Sequence, residues 1–406
     1  MEKFMSLIGL FAMIGVAYGL STSRKNIKWK TVATGLVLQL LLGLIILKTP
    51  FGRDIFDGAR VAFQGILDYT NEGSAFIFGS LTDVPRSGFI FAFLVLPTII
   101  FMSSLMSVLY HIGIMQKVVE FTAKIMMKVM GTSGAESLSA AANIFVGQTE
   151  APLVVKPFVE KMTKSELMAL MTGGMATVAG GVLAAYVGMG VDAGHLLAAS
   201  VMSAPAALVC AKLMVPETEQ SCTEGVVKID LPKTNANLID AAANGASEGL
   251  YLALNVGAML LAFIALIAML NGMLGWAGGI VGFPQLSFEL IIGYVFAPFA
   301  FLMGVPWADC IEVGVMLGKK IVVNEFVAYM DLQTAIKAGA ISERAITITT
   351  YALCGFANFS SIAIQLGGIG GLAPSRRTDL AKLGVQSLVA GTIACFMTAC
   401  IAGIFI

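Results

Sequence analysis

Charge is what this 406-residue chain most conspicuously lacks. Asp, Glu, Lys and Arg together make up 12% of it, against about 25% in soluble domains. With 57% of residues hydrophobic, too little polar surface remains to cover a water-soluble fold, so a large soluble helical protein is excluded. The 25 basic and 25 acidic residues cancel, and without a basic excess there is no footprint for nucleic acid or another polyanion. Histidine is almost missing. His111 and His195 lie far apart, which argues against a histidine metal site, and both read as helix-end residues. Cys210, Cys222, Cys310, Cys354, Cys395 and Cys400 are scattered through mostly apolar runs, with neither metal-ligand spacing nor a disulfide framework. What remains is an all-α polytopic membrane protein.

Residues 4–20 form an apolar run just long enough to span a bilayer. The basic cluster Arg24, Lys25, Lys28 and Lys30 follows it instead of preceding it, the wrong polarity for a cleaved signal. The positive-inside rule makes that cluster cytoplasmic and the N-terminus external. Residues 32–47 return across the membrane. Residues 48–86 mix charges with short apolar patches and read as interfacial helix and loop. Residues 88–109 span again, with Pro97 as a kink, and Lys117, Lys124 and Lys128 lie at helical spacing on an amphipathic surface helix.

Next comes Asn143-Ile-Phe-Val-Gly-Gln148-Thr149-Glu150-Ala-Pro152. Ionisable groups inside such a chain mark function by default, because burying one costs a few kcal/mol or more. Ser133 with Glu136 reads as a capping box opening a helix that runs to Val146. That is about 20 Å, short of the roughly 30 Å hydrocarbon core. A second short helix over 152–161 completes a re-entrant hairpin, which is tolerated at membrane depth only under protein or in a water-filled cavity. Residues 167–189 are long enough to span but are interrupted at Thr177 and Gly180-Gly181. Residues 196–215 span with Pro205 inside, and a polar linker begins at Pro216.

The second half repeats this plan. A long apolar helix covers 250–273, and 288–305 is expected to lie at the interface or fail to cross fully. Lys319-Lys320-Ile-Val-Val-Asn-Glu325 sets another carboxylate in an apolar run, with the two lysines read as a solvated hairpin mouth. Residues 346–361 lead into a second interruption at Gly355-Phe356-Ala-Asn358, and 383–406 span outward. Paired interrupted segments in corresponding places point to a transporter of inverted repeats. The expected divisions are 1–132 (N-terminal and scaffold helices), 133–215 (first transport repeat), 216–249 (linker), 250–310 (scaffold helix and interfacial segment) and 311–406 (second transport repeat). Glu150 and Glu325, one per repeat, are expected to be buried and to face one pocket at mid-membrane. Asn358 and Ser361 share a helical face.

These stretches together resemble the concentrative nucleoside transporter family. The matching pieces are Gly147-Gln-Thr-Glu-Ala-Pro-Leu153, the run from Asn244 to Phe263, Val323-Asn-Glu-Phe-Val-Ala328 and Tyr351-Ala-Leu-Cys-Gly-Phe-Ala-Asn-Phe-Ser-Ser361. The resemblance implies eight spanning helices and a homotrimer in a bacterial inner membrane, each protomer moving a transport domain like an elevator in a lipid-embedded scaffold. It implies that Gln148, Thr149 and Glu150 face a nucleobase with Val182 nearby. Glu325, Asn358 and Ser361 would hold ribose hydroxyls beside Phe356. Sodium would be held by Asn143 and Thr177, with carbonyls of Val146, Thr177 and Val178. Thr177 stands where sodium-coupled members often have Ser, keeping the hydroxyl. Uridine, cytidine and adenosine-like nucleosides are the implied substrates, sodium is the coupling ion, and no other cofactor or enzymatic activity is implied. Proton coupling through either glutamate is the alternative within transport. An intramembrane hydrolase lacks a paired-Asp motif, a base-activated nucleophile and metal ligands, and re-entrant half-helices argue against a continuous channel.

Overall fold

The computed structural model describes residues 2–88, 90–225, 235–280 and 282–406, and among these every regular element is helical. Helices α1 (Glu2–Gly19) and α2 (Trp29–Lys48) are the two expected N-terminal spans. Next is α3 (Pro50–Phe78), amphipathic as expected of an interfacial segment. The Thr49 hydroxyl accepts from Gly52 N at its start, and Pro50 sits in the first turn, where its missing N–H costs nothing. α4 (Val84–Ser87), α5 (Phe91–Leu94) and α6 (Leu96–His111) follow. The expected single span is thus broken at Val95, two residues before Pro97, whose ring crowds the preceding turn. α7 (Ile114–Met130) buries Met115, Val119, Ala123, Met126 and Met130 and leaves Lys117, Lys124 and Lys128 exposed.

The first hairpin opens with α8 (Gly134–Ala142), started by the expected Ser133/Glu136 capping box. It has nine residues, about 14 Å, and stops short of Val146. Ile144 and Phe145 donate to carbonyls only three residues back, which tightens the chain into a turn. The expected second half-helix is in two pieces, α9 (Ala151–Val154) and α10 (Lys156–Val159), because Pro157 has no N–H to continue the ladder. α11 (Lys164–Ala176) and α12 (Gly180–Gly188) are the interrupted helix, broken at Thr177–Ala179, and α13 (Ala193–Met214) carries Pro205 without a break.

Glu136 and Glu166 are both buried at the hairpin mouth. Each closes its own capping box, and Ser133 Oγ donates across to Glu166 at 2.6 Å. Lys212 pairs with Glu136 and Glu217. Ser221 and Thr223 donate to Glu166, so the linker begins as a strap folded over the mouth. Its residues Lys228, Asp230 and Lys233 lie outside the described residues.

Helix α14 (Leu238–Ile280) is 43 residues long, far beyond the expected 250–273. The extension is held because Gly245 and Gly249 let it lie against α6. A Cβ at either would come within 2.9 Å of Ser103, Ser104, Ser107 or Ile100 atoms. α15 (Phe288–Leu302) has 15 residues, about 22 Å. α16 (Cys310–Val322) and α17 (Glu325–Ala338) form the second hairpin. α18 (Glu343–Leu353) and α19 (Phe359–Leu372) form the second interrupted helix, and α20 (Arg377–Phe405) closes the chain. Among the described residues seven helices are long and apolar enough to cross a membrane, α5 and α6 counted as one and α11 and α12 likewise.

The two hairpins open at opposite ends of α1. At its C-terminal end Thr22 bonds to Met214 O, next to the Lys212–Glu136 pair. At its start Ser6 donates to Met303 O at 2.8 Å, and Arg344, beside the second hairpin, bonds Gly304 O and Gly403 O.

Candidate substrate and ion site

The two hairpin turns and the two helix breaks converge in the interior. Asn324 N-caps α17 by accepting from Val327 N at 3.0 Å, which fixes Glu325 as the first residue of that helix. Glu325 is 5% exposed. One carboxylate oxygen accepts from the Tyr186 hydroxyl of α12 at 3.0 Å, the other from Asn358 Nδ2 at 3.0 Å. Asn358 in turn N-caps α19, its Oδ1 accepting from Ser361 N at 2.9 Å. Ser361 Oγ accepts from Gln148 Nε2 of the first hairpin at 2.9 Å. One continuous chain of hydrogen bonds thus joins Tyr186, Glu325, Asn358, Ser361 and Gln148, drawn from both halves of the sequence.

Around it, Val182 is buried and Phe356 half-buried, and Phe356 N donates to Thr177 O, tying the two breaks together. Thr149 is half-buried beside Gly368. Glu150 departs from expectation. It is exposed, and its charge faces Tyr110 on α6 and Glu248 on α14. The two acids are therefore unequal: one is sequestered by three helices, and the other is exposed on the side of the first hairpin that faces the α6–α14 pair.

Lys320 overturns the expected solvated mouth. It is 0% exposed, donates to Ala352 O at 2.8 Å where α18 ends, and adds positive potential at Glu325. Free carbonyls at a helix C-terminus attract a cation, and that attraction draws the side chain inward. Its neighbour Lys319 bridges Asp331 and Glu289 at 2.9 and 3.4 Å.

The proposed ion ligands show a different signature. Asn143 is 1% exposed, and neither Oδ1 nor Nδ2 has a hydrogen-bond partner among the described residues. It lies against Gly173, where a Cβ would come 2.9 Å from Nδ2. Thr177 Oγ1 donates to Gly173 O at 2.9 Å, which leaves its lone pairs free. Val178 is buried and Val146 half-buried beside them. Unwound carbonyls with an amide and a hydroxyl oxygen suit sodium, and the buried Asn143 Oδ1 is an acceptor that such an ion would satisfy. His111 and His195 sit at helix ends, as expected.

Residues 195–403 match the family described as Na+ dependent nucleoside transporter C-terminus, and residues 8–81 its N-terminal counterpart. The chain belongs to the sodium-dependent nucleoside transporters. Between those stretches, residues 92–193 match a family described as Nucleoside recognition. The chain is 51% identical to the uncharacterized transporter YutK of Bacillus subtilis over the whole of both proteins. It is 45% identical to human solute carrier family 28 member 3, over 99% of this chain and 60% of that one. Its fold superposes on CNTnw in an inward-facing substrate-bound state with a TM-score of 0.95 at 47% identity, covering 100% of this chain and 98% of that one. A substituted CNTnw in an outward-facing state gives 0.94 at 47% identity, with 100% and 98% covered. Members of this transporter family are not enzymes, and the hydrolase alternative falls with that.

Tyr186, the burial of Lys320, and Gln365, whose Nε2 donates to Gln148 Oε1 at 3.1 Å, go beyond what the sequence leads one to expect. Gln365 had a signal: it lies four residues after Ser361 and so on the same helical face. Tyr186 and Lys320 had none, since their partners come from distant segments.

Proposed function

We propose that this transporter imports nucleosides into the bacterial cytoplasm across the inner membrane, driven by sodium, by an elevator-like movement within a homotrimer. The carrying observation is the hydrogen-bond chain from Tyr186 to Gln148, which both halves of the protein contribute. Glu325 and Asn358 take the ribose hydroxyls, exchanging their mutual bond for bonds to the sugar, with Ser361 beside them. Gln148, Thr149 and Glu150 face the base, flanked by Val182 and Phe356. A carboxylate accepts two vicinal hydroxyls well, and a sugar lacking one leaves a buried acceptor unmet at a cost of about 1–3 kcal/mol.

Sodium is bound by Asn143, the Thr177 hydroxyl and carbonyls of Val146, Thr177 and Val178. Asn143 stands five residues before Gln148, and Thr177 O carries the amide of Phe356. The ion therefore braces both the hairpin turn that holds the base and the break that holds the sugar, and this is the physical basis of coupling. One sodium ion crossing 100 mV down a tenfold gradient supplies about 2.3 plus 1.4 kcal/mol, enough for several-hundred-fold accumulation of a neutral solute. The opposite-facing hairpin mouths support inverted repeats and an external N-terminus. The little-buried apolar helix α14 supports an oligomeric scaffold in lipid.

Counterflow of labelled uridine into proteoliposomes tests the reading. Uptake is expected only with sodium, and Glu325→Gln and Asn143→Ala each reduce it at least tenfold, about the 1.4 kcal/mol of one lost buried interaction. Sodium-independent uptake abolished by collapsing a proton gradient would replace sodium with a proton. Wild-type rates in both variants would discredit the site.

A further inference from the structure

Gln365 of α19 is 1% exposed and meets the base-facing amide of Gln148 directly. Its Nε2 lies 3.0 Å from Met171 O on α11 and 3.1 Å from Gln148 Oε1. A backbone carbonyl can only accept, so the Met171 contact fixes which end of the Gln365 amide is nitrogen. That nitrogen has two hydrogens. One goes to Met171 O, and the other must go to Gln148, so the end of Gln148 that faces Gln365 is its oxygen. The Gln148 nitrogen is then turned the other way, toward Ser361 Oγ at 2.9 Å. Its second N–H has no partner among the described residues.

Two further observations show a built arrangement. Gly174 makes room for the pair: a Cβ there would come within 2.8 Å of both Gln148 Cβ and Gln365 Nε2. Gln365 Oε1 is buried with no partner among the described residues, a cost that a leucine of similar size would avoid. The amide is therefore useful for what its nitrogen does to Gln148.

We propose that Gln365 is a specificity-determining residue that locks the Gln148 carboxamide with its N–H toward the nucleobase and its oxygen away, so that the transporter prefers keto bases to their amino counterparts. This rests on the nucleoside site proposed above. A donor in the pocket pairs with the exocyclic oxygen of uridine or inosine. Facing the exocyclic amino group of cytidine or adenosine it sets donor against donor, and the locked amide cannot turn over to present its oxygen. Gln365 is a positioning residue in this, acting on the base through Gln148.

The test is sodium-driven uptake of uridine, cytidine, inosine and adenosine by the full chain in proteoliposomes, read as kcat/KM for each, with the sodium concentration for half-maximal uptake. The wild type is expected to favour uridine over cytidine, and inosine over adenosine, by about tenfold, as one mismatched buried hydrogen bond dictates. Gln365→Leu frees Gln148 to turn, so both ratios fall to about unity while the half-maximal sodium concentration stays as it was. Gln365→Glu accepts where glutamine donated, which turns the Gln148 nitrogen toward it and tips the ratios toward the amino bases. A purely structural role lowers all four rates in proportion and leaves the ratios standing, and that result would overturn the inference. So would equal use of uridine and cytidine by the wild type, which is decisive even if neither variant folds. Absence of sodium-driven uptake of all four nucleosides by the wild type would instead overturn the transport reading, and this inference with it.

Discussion

Glu325 keeps a carboxylate inside the protein by meeting each oxygen with a donor, Tyr186 on one side and Asn358 on the other. Lys320 adds a buried cation that spends its hydrogen bond on Ala352 O, so it stabilises the helix break and the acid together. Replacing it should therefore be felt at Glu325. Lys320→Met is expected to lower the melting temperature of the purified protein by several degrees, since an orphaned buried acceptor costs about 1–3 kcal/mol. It should also weaken uridine binding. The double variant with Glu325→Gln should be less destabilised than the sum of the single changes, because groups that share a field couple by about 0.5–3 kcal/mol. Strict additivity in a thermal-shift series would show that the two charges do not communicate. Glu150 teaches the converse: its place in an apolar sequence promised burial, but the turn leaves it exposed on the side of Glu248.

At the level of elements, most helix beginnings could be read directly from the chain. Ser133/Glu136 opens α8 as a capping box, because that reciprocal pair is built within four consecutive residues. Helix ends were harder. α8 stops at Ala142 and α9 at Val154, in one case by tightening into a turn and in the other by a proline three residues on. The long α14 was underestimated because residues 238–249 are polar and small, a pattern that reads as linker until α6 is set beside it. Gly249→Leu is expected to force α14 and α6 apart, as the new side chain would begin 2.8 Å from Ile100 Cα. Overpacking of this kind costs about 1–3 kcal/mol, so thermal shift should register a clear loss of stability, with Gly272→Leu, where nothing lies within 4 Å, as the neutral control. Further along, Arg60 of α3 reaches Asp192 at 2.7 Å, tying the interfacial helix to the start of α13. Burial works against the Asp192 charge, yet the His195 amide and the Arg60 guanidinium hold its carboxyl below the ordinary value. That contribution is present above the usual aspartate range and is lost as pH falls through the lowered value.

For the whole molecule, the burial pattern separates two kinds of helix. α13 and α20 are mostly covered by the rest of the protein, whereas α14 is mostly bare. Leu254, Leu261, Met269, Met273 and Trp276 all stand exposed on α14. Native mass spectrometry in mild detergent is expected to show three chains. A monomer, with lipid alone covering that face, would remove the trimeric scaffold from the proposal. The membrane class, the interrupted helices and the polar intrusions at Gln148, Glu325, Asn358 and Ser361 are legible in the sequence alone, because apolar runs, helix breakers and polar residues among them are local patterns along one chain, whereas Asn143 was singled out by the family resemblance. The burial of Lys320, the exposure of Glu150, the reach of Tyr186 and the locking of Gln148 by Gln365 were decided only by the tertiary structure. Each depends on a partner in another element, 32 residues along the chain for Lys320, 139 for Tyr186 and 217 for Gln365, or on the direction of a turn, and neither leaves a periodicity in the sequence.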